Sequence, residues 1–390
     1  MQEKSVFGII SGRMNKLIRR EIEDAIRKHL NSGKVIVLYG ARQVGKTTLL
    51  QQIFGEDIPN DEILWLNGDD DSTLQLFEVT SAKAYEPLFA RYKTVIIDEA
   101  QRIPNIGLKL KVLHDNFGKT TQFVVTGSSS FDLANKIVEP MTGRAWTYWL
   151  PSLSVRELGD YYGPFDVMTN LDNRLIYGTY PGVVTDMANA QETLNELATS
   201  NLYRDVLTFG EIIKTDKLRS ILEALALQIG SQVNMTELAS LVELDRKTVD
   251  KYISLLEQSF IVFRLRSYAK NMRNELKFSQ KIYFYDVGIR NALIQDYTPI
   301  GFRSDVGALF ENYIVAELKK KYQHDNLFFW RNNHQQEIDF IVRENGKLYA
   351  FEAKYNEKKS AKIPGVFERE YHPASYTVIN RENYWRILGE

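Results

Sequence analysis

Short apolar runs alternate with longer amphipathic stretches over the first 150 residues. An amphipathic helix is predicted over 15–30, because Leu17, Ile22 and Ile26 recur at helical spacing among charged neighbours. Runs rich in β-forming residues follow at 34–39, 62–67, 94–98, 121–126 and 146–150. Because parallel strands need long connections that often hold helices, this alternation predicts an α/β domain with a parallel sheet and helices on both faces.

The pattern changes at Pro151. Helical stretches interrupted by Gly and Pro extend to residue 216, and 217–260 is strongly helix-patterned. From about residue 307 a long helix precedes three strand-like runs at 327–330, 337–343 and 347–354, which indicates an α+β unit. We therefore predict four units, at 1–150, 151–216, 217–300 and 301–390.

Composition narrows the function classes. The 49 basic and 50 acidic residues give a formal net charge of −1, so any nucleic-acid site must be local. The absence of cysteine excludes disulfides and thiolate-bound metals. No apolar run approaches the roughly 18 residues of a membrane span, and the N-terminal apolar block is too short for a signal peptide. We expect a soluble, cytoplasmic protein with no membrane partner.

A complete P-loop motif follows the first predicted strand and precedes a helical run. Main-chain N–H groups of such a loop surround phosphates at a helix N-terminus, Lys46 supplies a positive charge, and the Thr47 hydroxyl is a magnesium ligand. A chance match in a glycine-containing loop is the alternative. The motif predicts ATP and Mg²⁺ as cofactors, held by Gly40, Ala41, Arg42, Gln43, Val44, Gly45, Lys46, Thr47 and Thr48.

Two carboxylates end the apolar run that begins at Val95. Asp98 is predicted to hold the magnesium ion and Glu99 to deprotonate the attacking water, so that the nucleotide is hydrolysed. An ordinary buried strand followed by an acidic turn is the alternative interpretation. The run ending in Thr126 and Ser128 predicts another strand, next to the P-loop strand, in which either hydroxyl is a candidate γ-phosphate sensor; the alternative is a strand followed by a simple turn.

These residues together resemble the AAA-type ATPases of the additional-strand P-loop class. The resemblance implies that the strand carrying the catalytic glutamate lies between the P-loop strand and its neighbours. It also implies an arginine that acts on the γ-phosphate, in cis or in trans. Arg144 is the candidate for this catalytic role, and a surface ion pair is the alternative.

A helix-turn-helix is predicted within 217–300. Thr236 is the expected N-cap of its first helix, a second helix covers 247–258, and the β-rich run after it is typical of the wing of a winged helix. Six basic residues and one acidic residue lie between Arg264 and Lys281. Duplex DNA is the candidate partner, contacted by Arg246, Lys247 and Lys251; a protein-interaction module with solvated charges is the alternative.

A carboxylate and lysine pattern lies on the predicted C-terminal hairpin. Glu352 and Lys354 are two residues apart, so one strand face carries both, and the partner strand can bring Asp339 alongside. Two carboxylates can share a magnesium ion while the lysine orients water, and Glu311 on the preceding helix is a fourth candidate. The pattern resembles the PD-(D/E)xK nuclease core, with Ile338 where that core often has proline. A cross-strand ion pair is the alternative.

The whole chain resembles prokaryotic AAA-type ATPases whose C-terminal half is the domain of unknown function DUF4143. The motifs in order include the P-loop, Val95 to Gln101, 153–157, 203–205 and Tyr285 to Gly288. The resemblance implies ATP as ligand and a restriction-endonuclease-like C-terminal fold. Our leading hypothesis is an ATPase whose nucleotide cycle controls a DNA-binding, nuclease-like half. The alternative is a nucleotide-gated switch with an inactive nuclease-like domain that binds DNA or protein, and a further copy of this chain is also a candidate partner.

Overall fold

Two β-sheets organise the chain in the computed structural model, which describes residues 17–55, 62–89, 91–128, 141–201, 214–269, 280–322 and 326–389. The motif at 203–205 lies outside the described residues. No helix in the described part of the chain has the length and apolar character needed to cross a membrane.

The N-terminal sheet is entirely parallel, which confirms the predicted α/β class. Each strand begins and ends within one residue of its predicted limits. The strands are β1 Val35–Tyr39, β2 Ile63–Asn67, β3 Thr94–Asp98, β4 Gln122–Gly127 and β5 Ala145–Trp149.

The order of these strands is β2-β3-β4-β1-β5. The resemblance implied that the strand ending in Asp98 lies between the P-loop strand and its neighbours, and this expectation is wrong, because the neighbours of β1 are β4 and β5. β4 lies between β3 and β1. Its Val124 pairs with Ile36 of β1 on one side and with Ile96 of β3 on the other. The prediction that the strand ending at Thr126 neighbours the P-loop strand is confirmed.

Helices cover both faces of this sheet because alternate residues of the central strands point in opposite directions. Ile36 and Leu38 belong to one buried cluster, whereas Val35 and Val37 belong to another. The predicted first helix is shorter than expected and begins only at Glu23. The helices are α1 Glu23–His29, α2 Lys46–Gly55, α3 Asp71–Leu76, α4 Ala82–Phe89 and α5 Ile106–Phe117.

Short helices follow β5, and a longer helix begins at Thr215. Their first member starts with a capping box in which Ser154 and Glu157 each bond the other's main chain. The helices are α6 Val155–Tyr162, α7 Pro164–Thr169, α8 Leu171–Tyr177, α9 Pro181–Thr185, α10 Ala190–Glu196 and α11 Thr215–Leu227.

The remaining strands form one mixed sheet of seven strands in the order β12-β11-β10-β9-β7-β8-β6. It runs across the boundary predicted at residue 300, because β7 pairs in parallel with β9. The strands are β6 Gln232–Val233, β7 Val262–Ser267, β8 Gln280–Phe284, β9 Leu327–Arg331, β10 Glu337–Glu344, β11 Lys347–Ala353 and β12 Ser375–Ile379. The helices are α12 Met235–Leu241, α13 Arg246–Gln258, α14 Val287–Leu293, α15 Val306–Lys321, α16 Gly365–Tyr371 and α17 Tyr384–Gly389.

Helices α12 and α13 occur where the helix-turn-helix was predicted. The expected cap at Thr236 is wrong: Asn234 is the N-cap and accepts hydrogen bonds from the main-chain N–H groups of Thr236 and Glu237. Asp245 caps α13 in the same way. Short polar side chains thus satisfy the free N–H groups at both helix starts.

The strand predicted as a wing, β7, is an inner strand with hydrogen-bonded neighbours on both sides. The expected basic patch also carries less free positive charge than the number of its basic residues suggests, because some of them are paired with carboxylates. Arg264 pairs with Asp250 and Glu257, and buried Lys281 pairs with two carboxylates. Lys270, Arg273 and Lys277 lie outside the described residues.

Candidate functional site

The P-loop connects the end of β1 to the start of α2, at the carboxyl edge of the parallel sheet. A Cβ on Gly40 would lie 2.1 Å from the carbonyl oxygen of Leu150, so only glycine fits there. Gln43 and Gly45 have φ values of 60° and 94°, which turn the loop sharply before the helix begins at Lys46. The residues from Gly40 to Thr48 therefore form a turn with a helix N-terminus, the arrangement that binds phosphate.

The Lys46 ammonium group lies within this turn. Its Nζ donates to the carbonyl oxygens of Gly40 and Ala41, both at 2.9 Å, and the side chain is buried. The loop thus holds the charge close to the helix N-terminus, where a phosphate would gain both interactions.

Asp98 is held between two hydroxyl groups from different elements. Thr47 Oγ1 donates to Asp98 Oδ2 at 2.7 Å, and Thr126 donates to Oδ1. A carboxylate beside a hydroxyl at the end of a P-loop is an oxygen donor set that suits Mg²⁺. The structure thus brings Thr47 and Asp98 together, and their role as ligands of the ion stays a prediction.

Glu99 has an unusual main-chain conformation, with φ of 49°. Its N–H group donates to Asp98 Oδ1 at 3.0 Å and to Thr126 Oγ1 at 3.2 Å. Gly68 allows this geometry, because a Cβ there would lie 2.3 Å from the Glu99 carbonyl oxygen. The fold thus sets Glu99 apart from its strand, in a conformation that costs about 1–3 kcal/mol and concentrates at functional sites.

Gln101 ends the motif that begins at Val95, but the sequence assigned it no role. Its Nε2 lies 2.5 Å from Glu99 Oε2 and 3.1 Å from Ser128 Oγ. Of the two candidate sensors, Ser128 is therefore linked to Glu99 through Gln101, and Thr126 is bonded to Asp98. The only sequence signal was the position of Gln101, two residues after Glu99.

Arg144 lies at the amino edge of the parallel sheet, opposite to the carboxyl edge that carries the P-loop. Its carbonyl accepts from the N–H of Val35, at the start of β1, whereas the P-loop follows the end of β1. At about 3.3 Å per residue, the strand separates the two by about 15 Å. Arg144 Nε donates to Asp115 at 2.9 Å, and the bonds from His114 and Arg144 lower the pKa of Asp115. This placement is incompatible with Arg144 acting on the nucleotide of its own chain; action on a neighbouring copy stays a prediction.

Arg20 contacts the P-loop and was also missed. Its guanidinium donates to the carbonyl oxygens of Val44 at 2.7 Å and Pro151 at 2.6 Å, and to Glu157 at 2.9 Å. Beside it lies a cleft of about 590 Å³, a volume typical of small-ligand sites. The cleft is lined by Leu17, Arg19, Arg20, Glu21, Asp24, Arg156, Glu157, Asp160 and Tyr161.

The second predicted cluster also comes together. Phe340 pairs with Phe351 in the β10–β11 hairpin, and the next residue outward, Asp339, accepts a bond from Ala353 N at 2.8 Å. Lys354 Nζ lies 2.6 Å from Glu352 Oε1 and 3.8 Å from Asp339 Oδ2. The hairpin therefore places an ammonium group beside both carboxylates.

Asp339 is the strongly perturbed acid of this cluster. Burial, with further contributions from Glu311 and Glu352, raises its pKa to about 8 against the lowering effect of Lys354. Glu311, on α15, lies 3.0 Å from Lys281 Nζ and accepts from Tyr283 at 2.6 Å. Among the described residues, no three His, Asp or Glu side chains are arranged to hold a metal ion.

The candidate DNA-contacting residues lie on the solvent side of α13. Arg246, Lys247 and Lys251 are exposed, whereas Val249 and Ile253 are fully buried. Their exposure matches the predicted arrangement, and a contact with DNA stays a prediction.

Three family models match the chain. An AAA domain matches residues 32–159, and the domain of unknown function DUF4143 matches 306–385. A second domain of unknown function, DUF8612, matches 168–299. The chain therefore contains an AAA domain and a DUF4143 domain, and the latter match is confined to the last quarter of the chain instead of filling the C-terminal half.

Related proteins match over most of their length. An uncharacterized protein of Mycobacterium tuberculosis is 28% identical over 86% of this chain and 74% of its own. An uncharacterized protein of Methanocaldococcus jannaschii is 22% identical over 91% of this chain and 81% of its own.

Solved structures match more weakly. A signal transduction ATPase with numerous domains from Pyrococcus horikoshii has 12% identity and a TM-score of 0.27, covering 78% of this chain and 46% of its own. The S. cerevisiae Hsp104–ADP complex has 16% identity and a TM-score of 0.31, covering 63% and 39%. At these TM-scores the similarity supports no argument about the present chain.

Proposed function

We propose that this protein, which joins an AAA domain to a DUF4143 domain, is a Mg²⁺-dependent ATPase whose nucleotide cycle controls a DNA-binding, nuclease-like C-terminal half. The observation that carries the first part is the contact of Thr47 with Asp98 at the P-loop, with Glu99 directly beside it. A hydroxyl, a carboxylate and a separate base at one helix N-terminus are the groups that phosphoryl transfer to water requires.

Each residue has a separate chemical task. Lys46 and the loop N–H groups bind the phosphates, and Thr47 and Asp98 would hold Mg²⁺, which neutralises phosphate charge when bound. Glu99 accepts a proton from water while the water oxygen attacks the γ-phosphorus. The bond from that phosphorus to the bridging oxygen breaks, and ADP and phosphate leave.

A chain of buried hydrogen bonds supports control of the C-terminal half by the P-loop. Arg20 joins the Val44 carbonyl to Glu157, whose other oxygen accepts from Ser154 N at 3.0 Å. The next N–H group, that of Val155, donates to Glu317 at 2.8 Å. Glu317 lies on α15, the helix that also carries Glu311, so a shift of the loop can reach the carboxylate cluster.

Direct packing gives a second route between the two halves. Phe260, which follows α13 with φ of 58°, lies with its ring centroid 5.7 Å from Tyr39 and 6.1 Å from Trp149. Tyr285 completes this aromatic group at 5.5 Å from Trp149. Ala41 of the P-loop and three of these aromatic residues, Trp149, Phe260 and Tyr285, line one small cavity. Because packed interiors do not deform continuously, rearrangement of the loop displaces the helix-turn-helix.

The helix-turn-helix is the proposed DNA contact. Arg246 and Lys247 lie at the N-terminus of α13 and Lys251 lies one turn later, where positive side chains can bind phosphates of a duplex. The inner position of β7 argues against a separate wing contact through the described part of that strand.

Cleavage by the Asp339, Glu352 and Lys354 cluster is one of two candidate roles of the C-terminal half. Their proximity supports nuclease chemistry, in which Lys354 orients water and the carboxylates would hold Mg²⁺. The contact of Lys354 with Glu352 favours the second role, a binding switch without cleavage, because the ammonium group already neutralises that carboxylate. We expect the protein to act in the cytoplasm, alone or as several copies.

Phosphate release tests the ATPase. We expect ATP-dependent release by the purified full chain, its loss in Lys46→Ala, and ATP binding without release in Glu99→Gln. Lys111→Ala, which changes an exposed lysine on α5, is the matched control and should behave as the wild type. Equal release by the wild type and Lys46→Ala would contradict the proposal.

Plasmid nicking in Mg²⁺, with and without ATP, separates the two roles of the C-terminal half. Nicking that Asp339→Ala abolishes while phosphate release continues supports a nuclease, and its response to Lys46→Ala shows whether ATP controls it. Glu344→Ala, at the exposed hairpin turn, is the control. Phosphate release without nicking would support the binding switch and contradict the nuclease role.

A further inference from the structure

We propose that Gln101 is a positioning residue for hydrolysis, linking the general base Glu99 to the sensor hydroxyl of Ser128. The inference rests on the proposed ATPase function and extends it to a residue outside the P-loop. It specifies what holds the Glu99 carboxylate in a fixed position relative to the γ-phosphate.

The contacts of the side-chain amide carry this inference. One nitrogen, Nε2, lies 2.5 Å from Glu99 Oε2 and 3.1 Å from Ser128 Oγ. The carboxylate requires a donor, so the amide must present its NH₂ group and not its oxygen to Glu99. The amide oxygen, Oε1, is buried with no hydrogen-bond partner among the described residues, which leaves these two bonds to define the side-chain orientation.

The direction of the bonds fits a chain that ends on the phosphate. The side-chain NH₂ group of Gln101 donates one hydrogen to Glu99 and the other to Ser128. Ser128 Oγ then acts as an acceptor, so its own hydroxyl hydrogen is free to donate to an anion beyond the end of β4. A γ-phosphate oxygen bound there would be connected to the base through three hydrogen bonds, with Ser128 and Gln101 as the two intermediate residues.

The main chain holds Gln101 in place independently of these bonds. Residues Ala100–Arg102 form a 3₁₀ turn directly after Glu99, closed by the bond from Arg102 N to the Glu99 carbonyl at 3.0 Å. Arg102 in turn pairs with Asp69 at 3.2 Å. The turn fixes the starting point of the Gln101 side chain, so truncation at Cβ removes the bridge and leaves the turn intact.

Steady-state ATP hydrolysis by the full chain tests the role. We expect Gln101→Ala to lower kcat about tenfold while KM stays within twofold, because only the base loses its orientation. Ser128→Ala should lower kcat, and the double variant should lose no more than the worse single variant, because both changes break one chain. Gln75→Ala, an exposed glutamine on α3, is the control and should match the wild type.

Gln101→Glu keeps the side-chain shape and tests the donor directly. Its kcat relative to the wild type should rise as the pH falls from 8 to 6, since a protonated carboxyl group can again donate to Glu99. A kcat within twofold for Gln101→Ala, or losses that multiply in the double variant, would overturn the inference while Lys46-dependent hydrolysis leaves the proposed function standing. If the wild type releases no phosphate, both fail.

Discussion

Arg20 and Glu157 form a salt bridge at 2.9 Å between Nε and Oε1, and each side chain is only 5% exposed. Arg20 also donates to the Val44 carbonyl of the P-loop, and Glu157 also accepts from the N–H of Glu21 at 2.9 Å. The pair therefore fastens the segment before α1 to the loop and to the first helix after the sheet. A buried ion pair with all its partners satisfied is costly to break from one side.

We expect Arg20→Ala to lower the free energy of unfolding by about 3–5 kcal/mol, because Glu157 would remain buried without its counter-charge. ATP binding should also weaken, since Val44 loses its partner. Urea unfolding and nucleotide titration measure the two effects. Arg19→Ala, whose side chain is 68% exposed, should cost about 0–1 kcal/mol; an equal loss in the two variants would contradict the assigned role.

Asp339 should make stability fall as the pH rises. Its pKa is about 8 in the folded chain and near 3.8 when unfolded, so between these values the native state binds one proton more. The free energy of unfolding then decreases with pH across this window, by up to about 1.4 kcal/mol per pH unit. Asp339→Asn should flatten that dependence in urea titrations without metal at pH 5 and pH 8.

Asp305 provides a control of opposite sign. Hydrogen bonds and charges from Arg303 and Arg290 outweigh burial and lower its pKa to about 2, so its contribution to stability is present above about pH 4 and is lost as the pH falls through 2. Asp305→Asn should therefore lower stability about equally at pH 5 and pH 8. A flattened pH dependence in Asp305→Asn but not in Asp339→Asn would reverse the assignment.

Gly178→Ala should be strongly destabilising. Gly178 has φ of 70°, and a Cβ there would lie 1.8 Å from Oδ1 of Asp286, which caps α14 and accepts from Thr179 N. We expect a loss of about 2–4 kcal/mol in thermal or urea unfolding. Gly307→Ala on α15, where no atom lies within 4 Å of the new Cβ, should cost nothing. Similar losses in both would contradict the clash.

Arg144→Ala should leave kcat unchanged in dilute protein, because Arg144 lies at the far edge of the sheet, next to Asp115. If copies associate and Arg144 reaches a neighbouring nucleotide, the wild type should instead show a kcat that rises with protein concentration, and Arg144→Ala should remove that rise. Turnover measured over a hundredfold range of concentration distinguishes these outcomes. A tenfold loss of kcat at the lowest concentration would contradict the observed placement.

The parts of the fold that sequence reasoning predicted well are local. The P-loop is one contiguous motif between a strand and a helix, and the hairpin carrying Asp339 and Glu352 follows from two alternating runs joined by a short turn. In both cases the spacing along the chain determines which groups meet.

Non-local pairing accounts for what was missed. The separation of β3 from β1 by one strand was not foreseen, because no periodicity in the sequence fixes the order of parallel strands. The contact of Gln101 with Ser128 depends on this same strand alignment. Arg20 looked like one of several surface charges in an amphipathic stretch, because its partners at Val44 and Glu157 are distant in sequence.

The parallel pairing of β7 with β9 also has a consequence for how the chain folds. Arg266 pairs with Phe328 and Ser267 with Phe329, so the regions matched by DUF8612 and DUF4143 contribute neighbouring strands to one sheet. A gene that lost either region would encode a protein with an unpaired, aggregation-prone strand edge. The two regions should therefore fold as one unit, although separate family models match them.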